Sequence, residues 1–183
     1  VNGSNDIGQT ALMVACHDGH KGIVQALVGR HQAKLDSKCK DGKMALHYAA
    51  FGGNHEIVDM LLGKYGVDVE ACTGAKQTAL HIAAKGRSID TVKLLVNKYD
   101  ANPTAVDCYG RTPLEYAKEK GNKAIIKVLS ERSFVVFVRA TEEGDTTSKE
   151  SDGKECKKKE EIQGDVRLRV NTSTKAQRVI DAL

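Results

Sequence analysis

An all-α solenoid of stacked helix pairs is the fold class this sequence predicts, and three observations predict it. Leu12, Leu46, Leu80 and Leu114 stand 34 positions apart. Each lies in the same phrase: Gln9-Thr10-Ala11-Leu12, Lys43-Met44-Ala45-Leu46-His47-Tyr48-Ala49-Ala50, Gln77-Thr78-Ala79-Leu80-His81-Ile82-Ala83-Ala84 and Arg111-Thr112-Pro113-Leu114-Glu115-Tyr116-Ala117. Fifteen or sixteen residues after each leucine comes an apolar end, at Leu27-Val28, Leu61-Leu62, Leu95-Val96 and Leu129. A period of roughly 20 to 50 residues marks stacked supersecondary units.

Residues 1–9, rich in Asn, Gly, Ser and Asp, read as a loop leading into the first unit. In each unit Thr plus a small residue or Pro opens a first helix, and Pro113 falls at an early position where a missing N–H costs nothing. Small residues follow, Ala15-Cys16, Ala49-Ala50 and Ala83-Ala84, and let a neighbouring helix approach closely. Gly19, Gly53 and Gly121 break the chain at one phase, where left-handed geometry is needed. The second helix carries Ile23, Val24, Leu27, then Ile57, Val58, Leu61, then Val92, Leu95, then Ile125, Ile126, Leu129. This spacing draws one apolar stripe per unit. A single unit cannot bury it, whereas stacked neighbours can.

The phrase resembles the T-P-L-H-x-A signature of the ankyrin repeat, and the period is close to that family's 33. Four units match in phase over residues 5–133, at 5–37, 38–71, 72–105 and 106–133. The resemblance implies helix-turn-helix units with connecting β-turn fingers. The extra residue per unit is expected after the second helix, in Gly29-Arg30-His31, Gly63-Lys64-Tyr65 and Asn97-Lys98-Tyr99. The third unit departs most: the finger glycine of Gly8, Gly42 and Gly110 is Lys76 there, and the helix-breaking glycine is Arg87, preceded by Gly86.

Composition narrows the function. Residues 1–133 hold 18 Lys/Arg against 14 Asp/Glu, and residues 134–183 hold ten of each. So small and dispersed an excess is no nucleic-acid footprint, which needs clustered cations and stacking platforms. Five cysteines without an even framework point to a reducing, cytoplasmic compartment. The sequence has no apolar run of about 18 residues to span a membrane. The chain does not begin with Met, consistent with a piece of something longer. The moderately polar outside of the first unit leaves room for an earlier repeat. Lys118, where a further repeat would pack, predicts that none follows and that the stack stops near Arg132.

Beyond Ser133 the grammar changes. Phe134-Val135-Val136-Phe137-Val138 is β-branched and aromatic, which predicts a strand over 134–139. Residues 141–161 read as a solvated charged linker; within it Lys157-Lys158-Lys159 is a weak nuclear address. A second strand and a helix start are expected over 165–183. This β-β-α-like order is similar to the opening of a ubiquitin-like domain of the Ras-association class. That resemblance implies a small GTPase as partner, met by Arg167, Arg169, Lys175 and Arg178.

No catalytic constellation, cofactor loop or metal set emerges. In the ankyrin resemblance His47 and His81 cap the tight turn and bond backbone between repeats. Thr10, Thr78 and Thr112 read as turn hydroxyls rather than nucleophiles, and Cys39, Cys72 and Cys108 lack the paired spacing of a zinc site. No enzyme activity and no cofactor are expected.

The resemblance instead places recognition on finger tips and on the inner face of each first helix. The finger positions are Asp6, Ile7 and Gln9; Lys40, Asp41 and Lys43; Ala75 and Gln77; Cys108, Tyr109 and Arg111. The inner-helix positions are His17, Asp18, Phe51, Gly52, Lys85, Glu119 and Lys120. Aromatic and Arg anchors amid charge are what interface hot spots look like; the alternative is that Phe51 and Tyr109 only cover their own turns. The expected function is a scaffold or adaptor gripping an acidic or amphipathic segment of another protein. The alternative is the regulatory front of a larger signalling protein whose tail begins the GTPase-binding domain.

Overall fold

A computed structural model describes residues 1–86 and 88–143, with side-chain surroundings as far as Ser133. The linker, second strand and helix start expected over 144–183, and with them Arg167, Arg169, Lys175 and Arg178, lie outside the described residues.

Four helix pairs follow one another: α1 (Ala11–Asp18) and α2 (Lys21–Gly29), α3 (Ala45–Gly52) and α4 (His55–Asp59), α5 (Ala79–Lys85) and α6 (Ile89–Asn97), α7 (Pro113–Glu119) and α8 (Lys123–Glu143). Helices α1, α3, α5 and α7 pack side by side as one layer, and α2, α4, α6 and α8 as the other. The repeated leucines share one environment, with Leu12, Leu46 and Leu80 at 2% exposure or less and Leu114 packed against the same core. Ala49, Ala50, Ala83 and Ala84 are buried where inner helices meet, so close approach replaces interlocking of large side chains.

Each finger is a turn closed by the same two backbone bonds. In the second, Gly42 N–H donates to Cys39 and Cys39 N–H to Lys43. Successive fingers are stitched by Lys40 N–H to Ile7 O at 3.2 Å, Gly74 N–H to Asp41 O at 3.0 Å and Cys108 N–H to Ala75 O at 3.0 Å. A Cβ on Gly42 would lie 2.4 Å from the Gly74 nitrogen, so this stitch needs a glycine. Lys76 holds the equivalent left-handed conformation at φ 57° without one. The third unit thus keeps its finger at a conformational cost.

The extra residue of the 34-residue period has a visible place. At the end of the second helices, Ala33, Val67 and Ala101 donate their N–H groups six residues back, to Leu27, Leu61 and Leu95. The residues before them, Gln32, Gly66 and Asp100, all have positive φ. In the second unit the widening extends into a π-helical turn, Met60–Lys64. Such turns accommodate one inserted residue without ending the helix.

Two sequence expectations are corrected. The strand expected over 134–139 is helical, because α8 runs to Glu143. No Gly or Pro stands between Lys123 and Glu143. Extending an existing helix adds a hydrogen bond per residue, whereas a strand needs a partner. The first three residues of the expected linker, 141–143, belong to the same helix. Ile23, expected in the buried stripe, is 51% exposed, while its counterparts Ile57 and Ile125 are at 1% and 0%. Those two units have a preceding unit packed against them.

Candidate functional site

The inner helices and fingers are locked together by histidine. His47 Nδ1 accepts from the Met44 N–H at 3.1 Å, and its Nε2 reaches the Ala71 carbonyl at 3.0 Å. His81 repeats the arrangement on Thr78 N–H and the Arg111 carbonyl, at 3.2 and 3.1 Å. The His81 ring therefore joins its helix N-terminus to the next finger, and the His47 ring to the segment just ahead of one. Burial drives the His47 imidazole down to about 4, against the opposing pull of its backbone bond to Ala71; His81 is lowered in the same way. Both are neutral linchpins with no free nitrogen for chemistry. Thr10 and Thr112 accept from Met13 and Glu115 N–H as helix caps, and Thr78 Oγ lies 3.0 Å from His81 Nδ1.

A family model described as ankyrin repeats in three copies matches residues 1–73 and again 65–139. The chain belongs to the ankyrin-repeat family. A search of curated proteins returns no match. Among the described residues of this ankyrin stack, no helix is long and apolar enough to cross a membrane. Among them too, no group of His, Cys, Asp and Glu could hold a metal ion, and Cys16, Cys39, Cys72 and Cys108 are free thiols.

The sequence-predicted recognition residues separate into two groups. Across the first three units, a groove of about 520 Å³ opens between fingers and inner helices. Its lining includes Ile7, Gln9, His17, Asp41, Lys43, Phe51, Gln77 and Lys85 from the predicted set. It also includes Val14, Tyr48 and Ile82, which the sequence reading passed over. Phe51 is 58% exposed and stacks on His17, with centroids 5.7 Å apart and planes at 24°. His17 is itself held by Asp18 at 2.7 Å. Lys43 leans on exposed Asp41 at 3.3 Å. Lys40 and Gly52 are exposed beside this region, and Gly52 is packed so closely on the His17 carbonyl that a Cβ would come within 2.2 Å.

In the second half, the predicted residues are largely occupied with one another. Tyr116 donates to Asp107 Oδ2 at 2.5 Å and accepts from Gln77 Nε2 at 2.7 Å and from Arg111. Gln77 also reaches Asp107 Oδ2 at 3.2 Å, so this finger residue is a buried clasp and not a free recognition group. The Arg111 guanidinium lies over the Tyr116 and Tyr109 rings and faces Asp107 and Glu119 at 3.8 and 3.6 Å. Burial opposes the ionisation of Asp107, but bonds from Tyr116, the Arg111 N–H, Gln77 and the Tyr109 N–H outweigh it and hold the carboxyl well below its usual range. Burial and the same carboxylate push the Tyr116 phenol up to about 12. Tyr109 remains 70% exposed, and Cys108 and Lys120 are exposed nearby.

A weaker clasp of the same kind joins the first two units, where Gln9 Nε2 donates to Tyr48 OH at 2.9 Å. Between the second and third units the corresponding pair is Lys43 and Ile82, which cannot form it. The groove runs from the first clasp across this unclasped junction, its lining drawn from the first three units. The signal was present in the sequence as Tyr48 and Tyr116, each right after the histidine position of its phrase and 39 residues beyond a finger Gln.

Proposed function

We propose that this ankyrin stack is an adaptor that captures a segment of another polypeptide in the groove lined by Phe51, Ile82 and the second finger. The observation that carries the reading is Phe51 itself. It is a large ring left 58% exposed, braced by His17 over an apolar-floored cleft. Exposed aromatic anchors of this kind concentrate binding energy, and a groove that already exists in the unbound chain limits what must be ordered on association. The alternative in which Phe51 covers only its own turn has less support, because most of the ring covers nothing.

The test is a random-peptide display selection against the full chain, followed by affinity measurement with Phe51→Ala. Binding should weaken at least tenfold, about 1.4 kcal/mol, with the urea midpoint unchanged. Equal loss of binding and stability would make Phe51 structural. Recovery of no peptide above background would defeat the reading.

A further inference from the structure

We infer that the captured segment carries an acidic residue beside an apolar anchor, and that Lys85, not Arg111, reads that acid. This rests on the groove being a polypeptide site. From sequence, Arg111 is the stronger candidate, since its planar fork suits a carboxylate. The structure reverses the ranking. Arg111 is committed to Tyr116, Asp107 and Glu119 within its own unit, so an incoming carboxylate would have to displace carboxylates already in place.

Lys85 has no such partner. Among the described residues no carboxylate lies within ion-pair distance of its ammonium. It is positioned all the same, because its Nζ sits 4.4 Å from the centroid of the Tyr116 ring, whose face attracts a cation without neutralising it. The Tyr116 hydroxyl is fixed by the Asp107 clasp, so the ring that steadies Lys85 is itself held. A second cation, Lys43, lines the same groove with only a solvent-exposed pairing to Asp41, whose side chain is 71% exposed. Such pairs exchange partners readily. The same groove has Ile82, at 4% exposure, as an apolar floor and exposed Phe51 in its lining. An apolar side chain against that floor, with a carboxylate within reach of Lys85, matches both the shape and the uncompensated charge. A nucleic-acid strand is the poorer fit, since it presents a phosphate at every step and the groove offers two lysines and one exposed stacked ring.

The test uses fluorescently labelled synthetic peptides corresponding to the selected sequences, titrated with the full chain. Selected peptides should hold Asp or Glu next to Leu, Ile, Phe or Trp. Replacing that acid by its amide should weaken binding about tenfold to the wild-type chain and less than twofold to Lys85→Met, which keeps the aliphatic stem over Tyr116. Lys85→Glu should recover affinity for a peptide bearing Lys at the acidic position, and Arg111→Met should bind within threefold of wild type. Peptides without acidic enrichment, bound equally by Lys85→Met, would overturn this inference and leave the groove as a polypeptide site. Selection of no peptide would remove both, and displacement of the peptide by a single-stranded oligonucleotide at equal concentration would overturn the assigned partner class.

Discussion

The two halves of the inner surface begin from the same repeat phase and end in opposite states. In the fourth unit Tyr116 meets a finger Gln, a buried Asp and an Arg, and every group but the Arg111 Nε finds a partner inside the chain. In the third unit the same phase holds Ile82, which shares the groove lining with Lys43 and Lys85, and no clasp ties up those two ammonium groups. A repeat array can therefore assign one position to holding itself together in one unit and to receiving a guest in another. The choice turns on a pair of side chains, the finger residue and the one 39 positions later, right after the histidine position.

Breaking the closed half should produce the largest effect. Asp107, with no exposed side-chain surface, leaves Tyr116, Gln77 and Arg111 without their shared acceptor when replaced. Asp107→Ala should lower stability by about 3 kcal/mol, the scale for stripping one partner from a buried charged pair, seen as a shifted urea midpoint.

Acid should then separate the halves. His47 titrates near 4 in the folded chain and near 6.5 when unfolded, so the unfolded state takes up protons first. The His47 contribution is complete above about pH 6.5 and falls as pH drops through 4, by about 3 kcal/mol in all. Asp107, also held low, contributes stability that is lost only below the ordinary carboxylate range. His47→Gln should reduce the loss below about pH 6.5 in chemical denaturation, leaving the share of His81, which is lowered in the same direction, and keeping the drop below the carboxylate range.

Converting one half into the other is the sharpest comparison. Lys43→Gln with Ile82→Tyr should install the missing clasp, adding about 1 kcal/mol to stability while filling the groove and cutting peptide affinity at least tenfold. A stable double variant that still binds would show that the groove is not where the segment sits. The smallest effect is expected at the finger that carries Gln77. Lys76→Gly should relieve the left-handed conformation and raise the melting midpoint by the equivalent of about 0.5–1 kcal/mol.

The repeated phrase made the helix pairs, fingers and histidine locks legible, because each follows from a residue type at a fixed phase. The boundary at Ser133 was misread because Phe134–Val138 has strand propensity, and propensity is local, whereas α8 was already growing into it. The candidate site was half legible. Phe51, Lys43 and Lys85 were reachable from their phase, but Gln77 and Arg111 look the same in sequence whether their polar groups point to solvent or to Tyr116. That difference depends on contacts 39 and 5 residues away, which no single repeat displays.

The alternation of clasps has a mechanical consequence. Gln9 ties unit one to unit two and Gln77 ties unit three to unit four, whereas the junction of units two and three has no such clasp among its fingers and is fastened instead at and after the second helices, by Lys98 and Tyr99 to Asp59 and by the Asn102 N–H to Glu70. Followed by amide exchange, that junction should loosen first on its finger side. A guest lodged there would act as a splint, and its arrival would be felt as stiffness along the whole array.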